Sequence, residues 1–270
     1  MSAFDYQGST LWYDTFGDGE LLIILHGGLG LDHTYLRPWL DPLGEYMTLT
    51  YLDFRANGRS TGDGDDLTMQ RLAEDVNALR EHLGHPRTWL LGHSYGGFVA
   101  LEYALTFPEN LHGLILLDTD STGPAPETIT AGLQRLGVQP EALSVFEEPV
   151  ENNADLLRVF DVAGPWYLPH SESSAARSVL GKTIYRKGGD DGGQRALQAW
   201  DVTERLDDIA APTLVMTGAD DFMFPPDRAQ RLSDAIPASA LQVVPRSGHL
   251  PFVEQTETVL KAVSAFLRRD

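Results

Sequence analysis

The chain predicts an α/β architecture: a mostly parallel, eight-stranded sheet flanked by helices, with a helical cap inserted after its middle. Three observations predict it. Short apolar runs alternate with helical periodicities as far as Asp118, the pattern of a parallel sheet covered on both faces. One apolar strand runs straight into Gly92-His93-Ser94-Tyr95-Gly96 and then into a helix, a sharp turn that carries a serine. From residue 121 the alternation stops, proline-punctuated helical patterns take over, and the sheet resumes at Thr213.

Taken in order, residues 4–6, 11–15 and the wholly apolar 21–25 are expected as strands, with a Gly17-Asp18-Gly19 turn before the third. That third strand, apolar throughout, belongs at the centre of the sheet. It ends in His26-Gly27-Gly28-Leu29-Gly30, a loop whose backbone can approach a bound substrate because few side chains intervene. Residues 48–52 form the next strand and lead into the polar loop Asp53-Phe54-Arg55-Ala56-Asn57-Gly58-Arg59-Ser60. Met69, Leu72, Val76, Leu79 and Leu83 mark one helical face, with Thr68 as N-cap and Gly84 past the end. Strands follow at 89–91 and 114–117, separated by a helix on which Phe98, Leu101 and Leu105 share a face. Within 121–209, Pro124, Pro126, Pro140, Pro149, Pro165 and Pro169 separate short helical patterns such as 154–160 and 195–200. The run Gly188-Gly189-Asp190-Asp191-Gly192-Gly193 reads as a flexible connector that lets part of this segment move. Residues 213–217 and 241–244 are the last strands, and Val259, Val263, Phe266 and Leu267 mark a closing helix. The expected division is a core of residues 1–120 and 210–270 and a helical cap of 121–209.

Composition narrows the function classes. With 39 acidic against 20 basic residues the net charge is −19, which argues against nucleic-acid and anionic-membrane partners because both require basic patches. High solubility is the plain reading of that charge. The absence of cysteine excludes disulfides, thiolate catalysis and cysteine-ligated metals. No apolar run approaches the ~20 residues of a membrane span, and the first residues lack the basic start and apolar core of a secretory leader. The expected location is the cytoplasm. Asp63-Gly64-Asp65 with Glu74 superficially fits a calcium-binding loop, but Leu67 and Thr68 stand where a ligand and a glycine are required. Neither a metal nor a cofactor is expected.

The chemistry centres on Ser94. Gly92 and Gly96 allow a tight strand-to-helix turn that lifts the serine hydroxyl above the sheet, and the following helix aims free N–H groups and its positive end at a reacting carbonyl. Tyr95 would supply one such N–H. A serine nucleophile needs a base and a group that orients the base. After strand 213–217 stand Asp220 and Asp221, and after strand 241–244 stands His249, so each lies at the sheet edge where ligands bind. An Asp-Asp pair in a turn, or a histidine after a glycine, is by itself ordinary loop chemistry. It is the joint order of serine, acid and histidine on successive strands that points to a triad, with His249 as base and Asp221, rather than its neighbour Asp220, as its orienter. His26 and His93 flank the site and are expected to shape its loops. His33, His82, His85, His112 and His170 read as structural or surface residues. Phe222 and Phe224 beside the acid, and Leu156, Leu157, Phe160, Trp166 and Trp200 in the cap, imply a mostly apolar pocket, to which Gly27, Leu29 and Leu250 are assigned as neighbours of the site.

These residues resemble the α/β-hydrolase superfamily over nearly the whole chain. Within it, His26-Gly27-Gly28-Leu29-Gly30, Asp53-Phe54-Arg55-Ala56-Asn57-Gly58-Arg59-Ser60 and Gly92-His93-Ser94-Tyr95-Gly96-Gly97 are similar to the proline-iminopeptidase-like branch, peptidase family S33. That branch typically reads HGGPG and DQRG-x-G-x-S; here Leu29 replaces the proline, and Phe54 and Ala56 replace the glutamine and glycine. The resemblance implies an α/β-hydrolase fold, a Ser94, Asp221 and His249 triad, and Gly28 with Tyr95 as oxyanion donors. Iminopeptidases of this kind hold the substrate amine with cap glutamates, often in a Trp-Glu motif that is missing from 121–209, where Glu147, Glu148 and Glu151 are the alternatives. The leading expectation is a cofactor-free serine hydrolase acting on a small ester, then on a short peptide or other N-terminal amide. The scaffold also resembles carbon–carbon bond hydrolases and perhydrolases, and a non-catalytic ligand receptor on the same fold is the reading from a different class.

Overall fold

The computed structural model describes residues 1–146, 148–198 and 200–268. Eight strands form one sheet: β1 (Ser2–Tyr6), β2 (Ser9–Phe16), β3 (Glu20–Leu25), β4 (Met47–Leu52), β5 (Thr88–His93), β6 (Leu111–Leu117), β7 (Thr213–Gly218) and β8 (Ser239–Val244). Their spatial order is β1-β2-β4-β3-β5-β6-β7-β8. β1 and β2 pair antiparallel, β2 lies antiparallel to β4, and the remaining pairs are parallel. The central strand shows why: Leu21, Ile23 and Leu25 enter one hydrophobic core and Leu22 and Ile24 the other, so both faces need covering.

Helices α1 (Met69–His82) and α2 (Tyr95–Thr106) cover the first face. The Thr68 side chain accepts the Arg71 N–H at 3.0 Å and so caps α1 as expected. Between β6 and β7 stand α3 (Pro126–Arg135), α4 (Asn153–Tyr167), α5 (Ser173–Leu180) and α6 (Lys187–Gln198). After β7 come α7 (Pro226–Ala235) on the first face, the short α8 (Pro251–Glu254), and α9 (Thr256–Leu267) on the second, with Val259, Val263 and Phe266 buried.

The glycine run is not a connector. Gly188 to Gly193 lie within α6, and Gly189, Asp190, Gly192 and Gly193 are buried. A Cβ on Gly192 would sit 2.2 Å from the Gly64 carbonyl oxygen, and one on Gly189 would sit 2.6 Å from that of Ala56. The lack of side chains lets this helix dock directly on backbone, and that packing outweighs the poor helix propensity of glycine. The sheet order reverses at β3, which pairs with both β4 and β5. The loops that follow β3 and β5 therefore meet at the crevice where open α/β sheets bind ligands.

Candidate active site

Ser94 sits where β5 hands over to α2, with φ 53° and ψ −119°. A serine at positive φ is strained, and the turn that holds it is tight on both sides. A Cβ on Gly92 would lie 2.4 Å from the Gly96 carbonyl oxygen, and one on Gly96 would lie 2.2 Å from that of Leu25. Only glycines let α2 cross the sheet so closely. The Ser94 N–H donates to the Leu117 carbonyl at 2.9 Å, which ties the turn to β6.

Asp221 and His249 come together from the loops after β7 and β8. His249 Nδ1 lies 2.8 Å from Asp221 Oδ2, and the Met223 N–H donates to Asp221 Oδ1 at 2.8 Å. Asp221 is fully buried. Burial opposes its ionisation, but His249 and the Met223 and Phe224 N–H groups outweigh that and hold its carboxyl below the usual range. The His249 ring stacks on Phe224 and meets Tyr167 edge-on, at centroid distances of 5.8 and 5.4 Å. Asp220 turns outward to His170 Nε2 at 2.6 Å. Asp118, Asp221 and His249 have donor atoms close enough for a metal. His249 Nδ1 and Asp221 Oδ2 are already engaged with each other by a hydrogen bond.

A second layer fixes the loops. The Gly27 N–H donates to Tyr35 Oη at 2.6 Å, Tyr35 Oη lies 2.7 Å from His93 Nδ1, and His93 Nε2 lies 2.8 Å from the His249 carbonyl oxygen. The carbonyl can only accept, so His93 carries its proton on Nε2 and Tyr35 donates to Nδ1. Burial drives His93 down to about 3, which keeps it neutral for this role. His26 Nε2 accepts the Phe54 N–H at 3.1 Å and shapes the loop after β3 in the same manner. In the loop after β4, Asp53 is buried against His33 Nδ1 at 2.5 Å and Arg59 Nη1 at 3.1 Å. Arg55 makes a buried two-point pair with Asp75, at 3.0 and 2.6 Å. The polar motif thus braces neighbouring loops through these pairs and adds no residue to the lining of the cavity above Ser94.

A cavity of about 350 Å³ opens above Ser94 and is also lined by Gly28, Tyr95 and His249. Leu29, Phe224 and Leu250 form part of its wall, as do Leu156 and Phe160 from α4. Gly27, Phe222 and Trp166 do not. Gly27 lies behind the serine, where a Cβ would come 2.8 Å from the Ser94 Cβ. Phe222 is buried under the wall, edge-on to Tyr167 at 5.2 Å. Trp166 is half-buried, and it is the next residue, Tyr167, about 100° further round the helix, that reaches the cavity and His249. Leu157 is exposed, and Trp200 packs on Phe98 with its indole N–H on Glu102. Of the three glutamates weighed as amine ligands, Glu147 lies outside the described residues and Glu148 pairs at the surface with Arg158. Glu151 is exposed. Among the described residues, the carboxyl that lines the cavity is Asp190 of α6, joined by Gln194, whose amide donates to it at 3.1 Å. Tyr35, Tyr167, Asp190 and Asp118 have no motif signal in the sequence.

A serine on a glycine-flanked elbow, at the switch point of a parallel sheet and beside a buried histidine–aspartate pair, defines a hydrolase of the α/β class. The chain belongs to the α/β hydrolase fold family, whose model matches residues 20–256. It is 27% identical to a proline iminopeptidase, PfmaB, of Pestalotiopsis fici, over 98% of each chain. It is 30% identical to RutD of Variovorax paradoxus, whose name assigns it to carbamate hydrolysis, over 96% of each chain. Among solved structures, a thermophilic esterase from Thermogutta terrifontis superimposes with a TM-score of 0.75 at 26% identity, covering 96% of this chain and 93% of that one. The chain is thus an α/β-hydrolase enzyme with esterase, carbamate hydrolase and iminopeptidase relatives. No helix among the described residues is long and apolar enough to cross a membrane.

Proposed function

We propose that the protein is a cofactor-free serine hydrolase that cleaves a small carboxylic ester through an acyl-enzyme. The observation that carries this reading is that Ser94 and His249 line one largely apolar cavity, with Asp221 bonded to the far nitrogen of His249. In this reading His249 Nε2 takes the Ser94 proton as Oγ attacks the ester carbonyl, and the N–H groups of Tyr95 and Gly28 hold the oxyanion. The tetrahedral intermediate collapses, the alcohol leaves with the proton from His249, and a water activated by His249 releases the acid. Residues 121–209 act as the cap that supplies the apolar wall. N-terminal amide cleavage is the second reading, favoured by the iminopeptidase relative and by Asp190, a cavity carboxyl able to meet a substrate ammonium.

The test combines Ser94→Ala with a substrate panel. Ser94→Ala should cut turnover of p-nitrophenyl esters by about 10⁴-fold or more, and a fluorophosphonate should label the wild type but not the variant. Across acyl chains, kcat/KM should rise by up to about 0.8 kcal/mol per buried methylene and then fall once the cavity is full. Proline β-naphthylamide turned over faster than every ester, with loss of turnover on acetylating its amine, would replace the ester reading by the amide one.

A further inference from the structure

We propose that Asp118 is a neutral carboxylic acid that donates a hydrogen bond to Asp221, making it a positioning residue one step behind the Asp221–His249 pair. Asp118 follows β6, is fully buried, and has φ 50°, a conformation that Asp and Asn tolerate better than most side chains. Its Oδ1 accepts the Gly218 N–H at 2.8 Å and the Thr217 hydroxyl at 3.3 Å. Its Oδ2 is buried with no donor among the described residues. A carboxylate would leave that oxygen stranded, whereas a carboxylic acid turns it into a donor in need of an acceptor. The acceptor is at hand, because one oxygen of Asp118, one of Asp221 and a ring nitrogen of His249 all lie within 4.8 Å of one another.

Two carboxyl groups this close and this buried do not both ionise. Asp221 keeps the charge because it faces His249 and the Met223 N–H. Burial above all, then the Asp221 charge, pushes Asp118 well above the ordinary carboxylate range, and a hydrogen bond to Asp221 adds to it. The proton stays on Asp118 throughout. By drawing electron density from Asp221 it weakens the grip of Asp221 on the charged form of His249, and so sets where the enzyme loses activity in acid.

Other groups facing the pair do not mimic this effect. His93 is held neutral by burial, and the Tyr35 and Tyr167 hydroxyls are pushed far up by burial. His26 is likewise lowered by burial, and Arg135, whose guanidinium donates to the Asp221 carbonyl oxygen at 3.2 Å, is common to every variant compared. The His170–Asp220 pair lies on the outer side and is common to every variant compared.

The inference rests on the triad reading above, and one of its two tests needs no turnover, so the failure of either can be told apart. At about pH 8, where exposed carboxyls are ionised, the infrared difference between wild type and Asp118→Asn should contain the carbonyl band of one neutral carboxylic acid, lost in the variant. Absence of that band overturns the proposal. In the second test, Asp118→Ala should move the acidic limb of kcat/KM up by about half a pH unit. Asp118→Asn, whose amide can donate to Asp221 while its oxygen accepts from Gly218, should restore the limb. A limb that moves to lower pH in Asp118→Asn shows that an anion was removed and overturns the proposal, as does an unmoved limb in folded Asp118→Ala. If Asp118→Ala does not fold, the infrared comparison decides alone.

Discussion

Two adjacent aspartates after β7 have opposite surroundings. Asp221 is closed off from water and bonded to His249 Nδ1 and to a backbone N–H, while the Asp220 side chain is 39% exposed and paired with His170. In the proposed mechanism, Asp221→Asn leaves an amide that can bond the imidazole in the wrong tautomer, so kcat on a p-nitrophenyl ester should fall by about 10³- to 10⁴-fold. Asp220→Asn alters one partner of an outward, partly exposed hydrogen-bonded pair and should change kcat by no more than about twofold. The reverse ranking would move the orienting role to Asp220. His93 belongs to the same scale: its buried, neutral ring spans Tyr35 and the His249 carbonyl, so it holds the histidine loop without taking part in proton transfer.

At the scale of elements, α6 is the informative case. Glycine serves differently along its length: Gly192 rests on the Gly64 carbonyl, whereas a Cβ on Gly188, about one turn earlier, would meet nothing within 4 Å. Gly188→Ala should therefore stabilise the fold by about 0.5–1 kcal/mol, as alanine does in an open helix position. Gly192→Ala should destabilise it by about 1–3 kcal/mol through the forced shift of the helix. Because α6 carries Asp190 and Gln194 on the cavity wall, that shift should also raise KM. Thermal melts and ester kinetics on the two variants check the contrast, and equal effects would show that α6 does not depend on this docking. The connection after β4 makes a related point, since its charged side chains are used in buried pairs such as Arg55–Asp75.

For the whole molecule, a net charge of −19 sets the long-range field. Like charges repel across the folded surface more than in the expanded chain, and salt screens this repulsion. Raising ionic strength from about 0.01 M to 0.15 M shortens the Debye length from about 30 to 8 Å. The melting temperature should rise over that range. A flat or falling melting temperature would mean that the surface pairs, such as Arg195–Asp65 and Arg231–Asp227, outweigh the net repulsion. The same field should disfavour anionic substrates relative to neutral ones of equal size.

The sequence by itself determined the sheet, the elbow and the order of the candidate triad. Those features rest on local signals: apolar runs such as 21–25, the glycines on either side of Ser94, the Thr68 cap, and polar residues placed just after strands. Tertiary structure alone decided which way each side chain points. Gly188 to Gly193 form a helix because neighbouring backbone leaves no room for side chains, and the run carries no trace of those neighbours. Tyr167 reaches the cavity in place of Trp166 because of the rotation of α4, and Tyr35 reaches His93 across 58 positions of sequence. Asp118 is an ordinary strand-end aspartate in the sequence. Its chemistry comes from Asp221, which lies on a different strand end, and the burial that makes the two interact exists only once the sheet has formed.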